Sequence, residues 1–267
     1  MSLHPSQSFF ESALRQKIAY NTENRIAPSE SALANRMLNR GLELKGLYVE
    51  AYEATTVDLE RHIFLNCCAL DIGLCWTEAD GRQAREDKKR LSELNAEIAK
   101  RADELADLMQ RRTAINERGS FLTNHTIHIL DVLDEAGQSN GLFRHSLHEP
   151  LDQLRGRFDF KYWPKLDEIV RAIGVDASQV KVEAMDPLTA AMCESTRPSR
   201  ADVVRAIQAS IEANKRSGLG SLPKRFKLSN DALASLANVL LDLPAEKLLD
   251  ARDVKNIGAR PLKRRKA

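Results

Sequence analysis

The chain has 267 residues, 43% of them hydrophobic and 29% charged, with a net charge of +2. That length accommodates one large domain or two modest ones, and the composition is that of a globular protein rather than a disordered or fibrous one. The most apolar run, 63–76, contains Asn66 and Asp71 and is too short to cross a bilayer. With no basic start or apolar core in its first ten residues, the chain reads as a cytoplasmic protein without a membrane span.

Residues 8–20 carry Phe9, Phe10, Ala13, Leu14 and Ile18 at helical spacing. After a polar break, Pro28 suits the first turn of a helix, where its missing N–H costs nothing. The apolar line Leu33, Met37, Leu44, Leu47, Ala51, Ile63, Cys67, Leu70 predicts that this helix runs to about Trp76, weakened by the β-branched Thr55, Thr56 and Val57. Asp80-Gly81 reads as a turn.

A heptad pattern follows. With Leu91 as position a and Leu94 as d, the seam runs Leu91, Leu94, Ile98, Arg101, Leu105, Leu108, Arg112, Ile115, Gly119, Leu122, Thr126, Ile129, Leu133. Acid-before-base pairs at i,i+4, such as Glu97 with Arg101, describe a solvated outer face. Two long helices joined by a tight turn predict an antiparallel, coiled-coil-like hairpin over about 28–136. Arms of about fifty residues would each span roughly 75 Å. A turn centred on Asp80 would set Gly41 opposite Gly119.

Gly137 to Gly141 ends this region. Short helices are expected near 149–156, 164–174 and 187–194, the last opened by Pro187 behind an Asp186 cap. Phe158, Phe160, Tyr162 and Trp163 lie between them, either as anchors onto a core or as a partner surface. Ser199 with Asp202 resembles a capping box and opens a helix to about Ser217. Ser229 caps another, with Leu228 and Leu233 as a hydrophobic staple, and a last helix ends near Gly258. The expected fold is all-α: a long helical hairpin with a smaller C-terminal helical module. Its parts are 1–141 (first helix and hairpin), 142–198 (connecting helices), 199–259 (basic helical module) and 260–267 (basic tail).

Charge is distributed unevenly. Residues 1–196 hold 24 Lys and Arg against 31 Asp and Glu, whereas residues 197–267 hold 16 against 7. Three basic clusters stand out: Lys215 and Arg216; Lys224, Arg225 and Lys227; and Arg260, Lys263, Arg264, Arg265 and Lys266. Such clusters neutralise phosphates and release counterions, which favours DNA or RNA without base contacts. A solubilising face with a free tail is the plainer reading.

Catalytic and metal signatures are sparse. Cys67, Cys68, Cys75 and Cys193 form no C-x-x-C pair, and read as free thiols. No histidine follows an acidic residue at the Glu-x-x-His spacing of a di-iron bundle, so no metal or other cofactor is expected. Arg118-x6-His125 resembles the loose Arg-x(4–6)-His signature of HEPN-type RNases, helical bundles in which such a pair would act at an RNA phosphate. A chain this rich in arginine produces that spacing by chance.

The preferred reading is therefore a non-enzymatic helical adaptor or scaffold subunit of a nucleoprotein or multiprotein assembly. Its hairpin would contact a protein partner or a second copy, and its basic C-terminal region would contact nucleic acid. The alternatives are an RNase using Arg118 and His125, and a purely structural oligomer.

Overall fold

The computed structural model describes residues 4–121, 123–195, 199–215 and 221–259. The protein is all-α, with no strand among the described residues. Two compact units are present, one formed by residues 1–88 and 183–267, the other by 89–182. The expected boundaries at 141 and 198 do not follow this division.

The first unit holds the core. It is built from α1 (Pro5–Asn24), α2 (Pro28–Asn39), α3 (Lys45–Glu53), α4 (Asp58–Ile63), a π-helical segment (Phe64–Leu70) and α5 (Asp71–Cys75). It also contains the start of α6 (Glu78–Arg118). The second unit carries the rest of α6 with α7 (Ile129–Gly137), α8 (Gly141–Ser146), α9 (His148–Arg155) and α10 (Leu166–Gln179). The chain then returns to the first unit with α11 (Pro187–Glu194), α12 (Arg200–Asn214), α13 (Asn230–Leu240) and α14 (Ala251–Ala259).

Local signals explain most helix starts. Pro28 opens α2. The Asp186 carboxylate accepts from Thr189 N–H at 2.8 Å, and Ser229 Oγ accepts from Ala232 N–H at 3.1 Å. Asp202 accepts from Ser199 N–H at 2.9 Å, which is the reciprocal half of a capping box. Leu228 and Leu233 are both buried, as the staple requires.

The single helix expected over 28–76 is not formed. Residues 40–44 make a turn after α2, and a second break falls at Thr55 and Thr56. Thr55 Oγ1 donates to the Ala51 carbonyl at 2.7 Å, so its side chain competes for a helical acceptor. Glu60 then accepts from Thr56 N–H at 2.7 Å and from Val57 N–H at 3.3 Å, which starts α4 afresh. Asp80 and Gly81 lie within α6 rather than at a turn, because Thr77 Oγ1 accepts from Asp80 N–H at 3.0 Å and caps the helix just ahead of them. The long-hairpin reading therefore loses both its continuous first arm and its turn, and with them the basis for setting Gly41 opposite Gly119. The expected continuation of α6 to 136 also fails. A Cβ at Gly119 would lie 2.9 Å from the Ile115 carbonyl, and α6 stops at Arg118.

The core of the first unit is continuous. Phe10 stacks on Tyr48 with ring centroids 5.0 Å apart, and Phe64 bridges Phe10 and Phe226. Val203, Val204, Ile207 and Ile211 of α12 are buried against the π-helical segment and α13. Gly73 admits Leu33 and Leu240 so closely that a Cβ would meet both within 3 Å. The four cysteines are free thiols. Cys68 is buried, and burial pushes its thiol up to about 12, whereas Cys75 is exposed.

Candidate docking surface and basic strap

The second unit is poor in core. Among the described residues its buried apolar side chains are Ala102, Ala106, Leu130 and Ala177. Eighteen of the 25 exposed large apolar residues among those described belong to it. Scattered exposed leucines are ordinary, but a concentration of this kind marks an interaction surface.

Its longest element, α6, carries two stripes. One consists of Ala99, Ala102, Ala106, Met109, Thr113 and Asn116, spaced alternately by three and four, and it is the partly or fully buried one. Small side chains allow α10 to approach: a Cβ on Gly174 would lie 3.0 Å from Ala102 Cβ and 3.2 Å from the Ala99 carbonyl. Arg171 of α10 reaches across to Asp103 and, at 2.8 Å, to Asp107. The hydrogen bond from Arg171 outweighs burial and holds the Asp107 carboxyl below its ordinary range.

The other stripe is the heptad seam read from the sequence. Leu91, Leu94, Ile98, Leu105, Leu108 and Ile115 are 38–61% exposed. At 100° per residue the two stripes are centred about 100° apart, so a second helix can lie on the open stripe without displacing α10.

The second unit also exposes aromatic residues. Phe158, Phe160 and Tyr162 are 46%, 48% and 69% exposed, so they are not the core anchors that one reading of the sequence expects. Trp163 is half-buried and packs on His128 with centroids 4.8 Å apart. Arg155 ties α7 to α9 through Asp131 and Asp134, the latter at 2.6 Å.

A cleft of about 210 Å³ in this unit is lined by Arg112, Glu117, His125 and Lys165 among others. His125 belongs to it, but Arg118 does not line it. His125 Nδ1 is engaged at 2.7 Å with Thr123 Oγ1 and at 3.0 Å with the Thr123 carbonyl. The paired Arg–His arrangement that an RNase of this type would need is not assembled in this cleft. Among the described residues no cluster of three or more His, Cys, Asp or Glu could hold a metal ion.

Of the basic residues singled out in the sequence, Arg216, Arg260, Lys263, Arg264, Arg265 and Lys266 lie outside the described residues. Lys215 ends α12 and pairs with Glu212 at 2.5 Å, leaving its side chain 14% exposed. Lys224, Arg225 and Lys227 sit on a strap, 221–229, pinned by the buried Leu222, Phe226 and Leu228. Phe226 N–H donates to the Pro223 carbonyl at 2.8 Å and forms the bend. The intervening Lys224, Arg225 and Lys227 are exposed and form no ion pair with a described carboxylate.

The α6 seam is legible as a heptad from sequence, but its openness is not, because a seam looks the same whether covered or bare. The second stripe of α6 is missed because alanines and polar residues carry little hydropathy signal.

No protein-family model, curated protein or solved structure matches this chain. No described helix is long and apolar enough to cross a membrane.

Proposed function

We propose that the protein is a non-catalytic helical adaptor whose second unit docks a protein helix and whose basic strap contacts a polyanion such as nucleic acid. The observation that carries the reading is the contrast between the units: the first buries a continuous core, while the second leaves a seam of leucine and isoleucine open along α6. An apolar seam is stabilised by covering it, and an amphipathic helix is the shape that fits. The strap supports the second role, since three cations that pair with no described carboxylate, held on a short pinned segment, suit contacts to successive phosphates.

The test is purification of the tagged chain under native conditions beside two variants, with both protein and nucleic acid in the eluate quantified. Leu105→Asp with Leu108→Asp should release a stoichiometric protein partner and leave bound nucleic acid unchanged. Reversal of Lys224, Arg225 and Lys227 to glutamate should do the opposite, and should lower the salt slope of duplex and single-strand binding by roughly three phosphate contacts. Identical eluates from all three proteins would refute the adaptor reading.

A further inference from the structure

We infer that the open stripe of α6 receives an acidic amphipathic helix from another protein, not a second copy of this chain; the inference rests on the docking role proposed above. Its ground is the charge pattern on and beside the stripe. Two of its heptad positions are Arg101 and Arg112, where the pattern would otherwise place Leu or Ile. The flanking g positions are Arg90, Glu97, Glu104, Arg111 and Arg118. The seven residues carry five positive charges against two negative, a balance of +3.

Homotypic pairings conflict with this pattern. In a parallel in-register pair Arg101 meets Arg101 and Arg112 meets Arg112. Of the antiparallel registers that overlap most of the stripe, one stacks Arg101 on Arg112 within the seam, while setting Glu97 opposite Arg118 and Glu104 opposite Arg111 at its edge. Of the other two, one sets Arg90 opposite Arg118 and Glu104 opposite Glu104, with Glu97 opposite Arg111, and the other sets Arg90 opposite Arg111 and Glu97 opposite Glu104. Like charges placed opposite one another select against a partner. The two glutamates are also engaged already: Arg101 lies 3.6 Å from Glu97 and 3.1 Å from Glu104. Arg112 and Arg118 form no ion pair with a described residue, so the C-terminal half of the stripe presents unbalanced positive charge beside Leu108 and Ile115.

The complement is a helix of about 25 residues, spanning roughly 36 Å. It carries Leu or Ile at a and d, with Asp or Glu where it faces Arg112 and Arg118. Arginine at a seam position donates bidentately to a carboxylate, so the interruption at Arg112 becomes a point of recognition rather than a defect.

The experiment uses the full chain and two synthetic helical peptides with one shared Leu/Ile heptad seam. One has glutamate, the other lysine, at the positions flanking the seam. Binding is read by fluorescence anisotropy at low and high salt, and mass in solution by sedimentation. The chain should sediment as a monomer and bind the glutamate peptide at least about tenfold more tightly than the lysine peptide, a margin of about 1.4 kcal/mol. Salt should narrow that margin. Arg101→Glu with Arg112→Glu should invert the preference, and Leu105→Asp should abolish binding of both peptides. A wild-type dimer that Leu105→Asp dissociates would overturn the inference and leave the docking role standing. Equal binding of both peptides would likewise overturn the choice of an acidic partner alone. A monomer that binds neither peptide would remove the docking role as well.

Discussion

Gly174 of α10 faces Ala102 of α6 at a separation that leaves no room for a larger side chain, a Cβ on Gly174 falling 3.0 Å from the Ala102 Cβ. The neighbouring Ala99 carbonyl, at 3.2 Å, is backbone and cannot rotate away. Gly174→Leu should therefore push α10 off α6. The second unit has few other buried apolar residues to compensate, so it should lose its protection from limited proteolysis while the first unit keeps its own. Equal loss in both units would mean that the contact does not hold the second unit in particular.

Neighbouring positions on α6 should respond in opposite ways. Leu105 is 49% exposed and Ala106 is fully buried. Leu105→Asp leaves a solvated side chain solvated and should change stability by no more than about 0.5 kcal/mol. Ala106→Asp buries a charge without a partner and should cost at least about 3 kcal/mol. Denaturant titration of both variants checks this. A large loss from Leu105→Asp would mean that the seam is covered within the chain itself.

These two residues also mark where the sequence is legible. The period of α6, its caps and the helix starts at Pro28, Pro187, Ser199 and Ser229 are local, and local chemistry carries them. The breaks at 40–44 and at Thr55 are not visible as breaks, since Leu44, Leu47 and Ala51 continue the helical period across the first. Only the capture of Thr56 and Val57 N–H by Glu60 makes the second a fresh start. Which stripe of α6 is covered depends on Gly174, more than fifty residues away, and no pattern within α6 contains that information. The basic strap lies between the two. Its charges are plain in the sequence, but their outward presentation follows from the burial of Leu222, Phe226 and Leu228.

Asn238 holds the last helix in place. Its side-chain nitrogen donates to the Leu249 carbonyl at 3.0 Å and its oxygen accepts from the Leu249 N–H at 2.8 Å, both in buried surroundings. Asn238→Ala strands one buried backbone donor and one acceptor, and should cost about 3 kcal/mol. Asn238→Asp keeps the acceptor but loses the donor, and introduces a buried charge, so it should be no milder. Thermal unfolding of the first unit reports both. An unchanged midpoint for Asn238→Ala would mean that α14 is held by Val254 and its apolar neighbours alone.

Acid should weaken the joint between α1 and α2. Burial acts to raise the Glu30 carboxyl, but hydrogen bonds from Lys17 and Asn21, each at 2.7 Å, outweigh it and hold the group below its ordinary range. A carboxyl whose folded value is depressed binds its proton more readily in the unfolded chain. Its stabilising contribution is therefore complete above the unfolded value, near 4.3 for glutamate, and is lost as pH falls from there through the folded value. Glu30→Gln removes that titration, so the variant should be less stable than the parent at neutral pH and converge on it in acid. Urea midpoints measured from pH 7 down to pH 3 would display the convergence. A gap that stays constant across that range would mean that Glu30 contributes through packing and not through its charge.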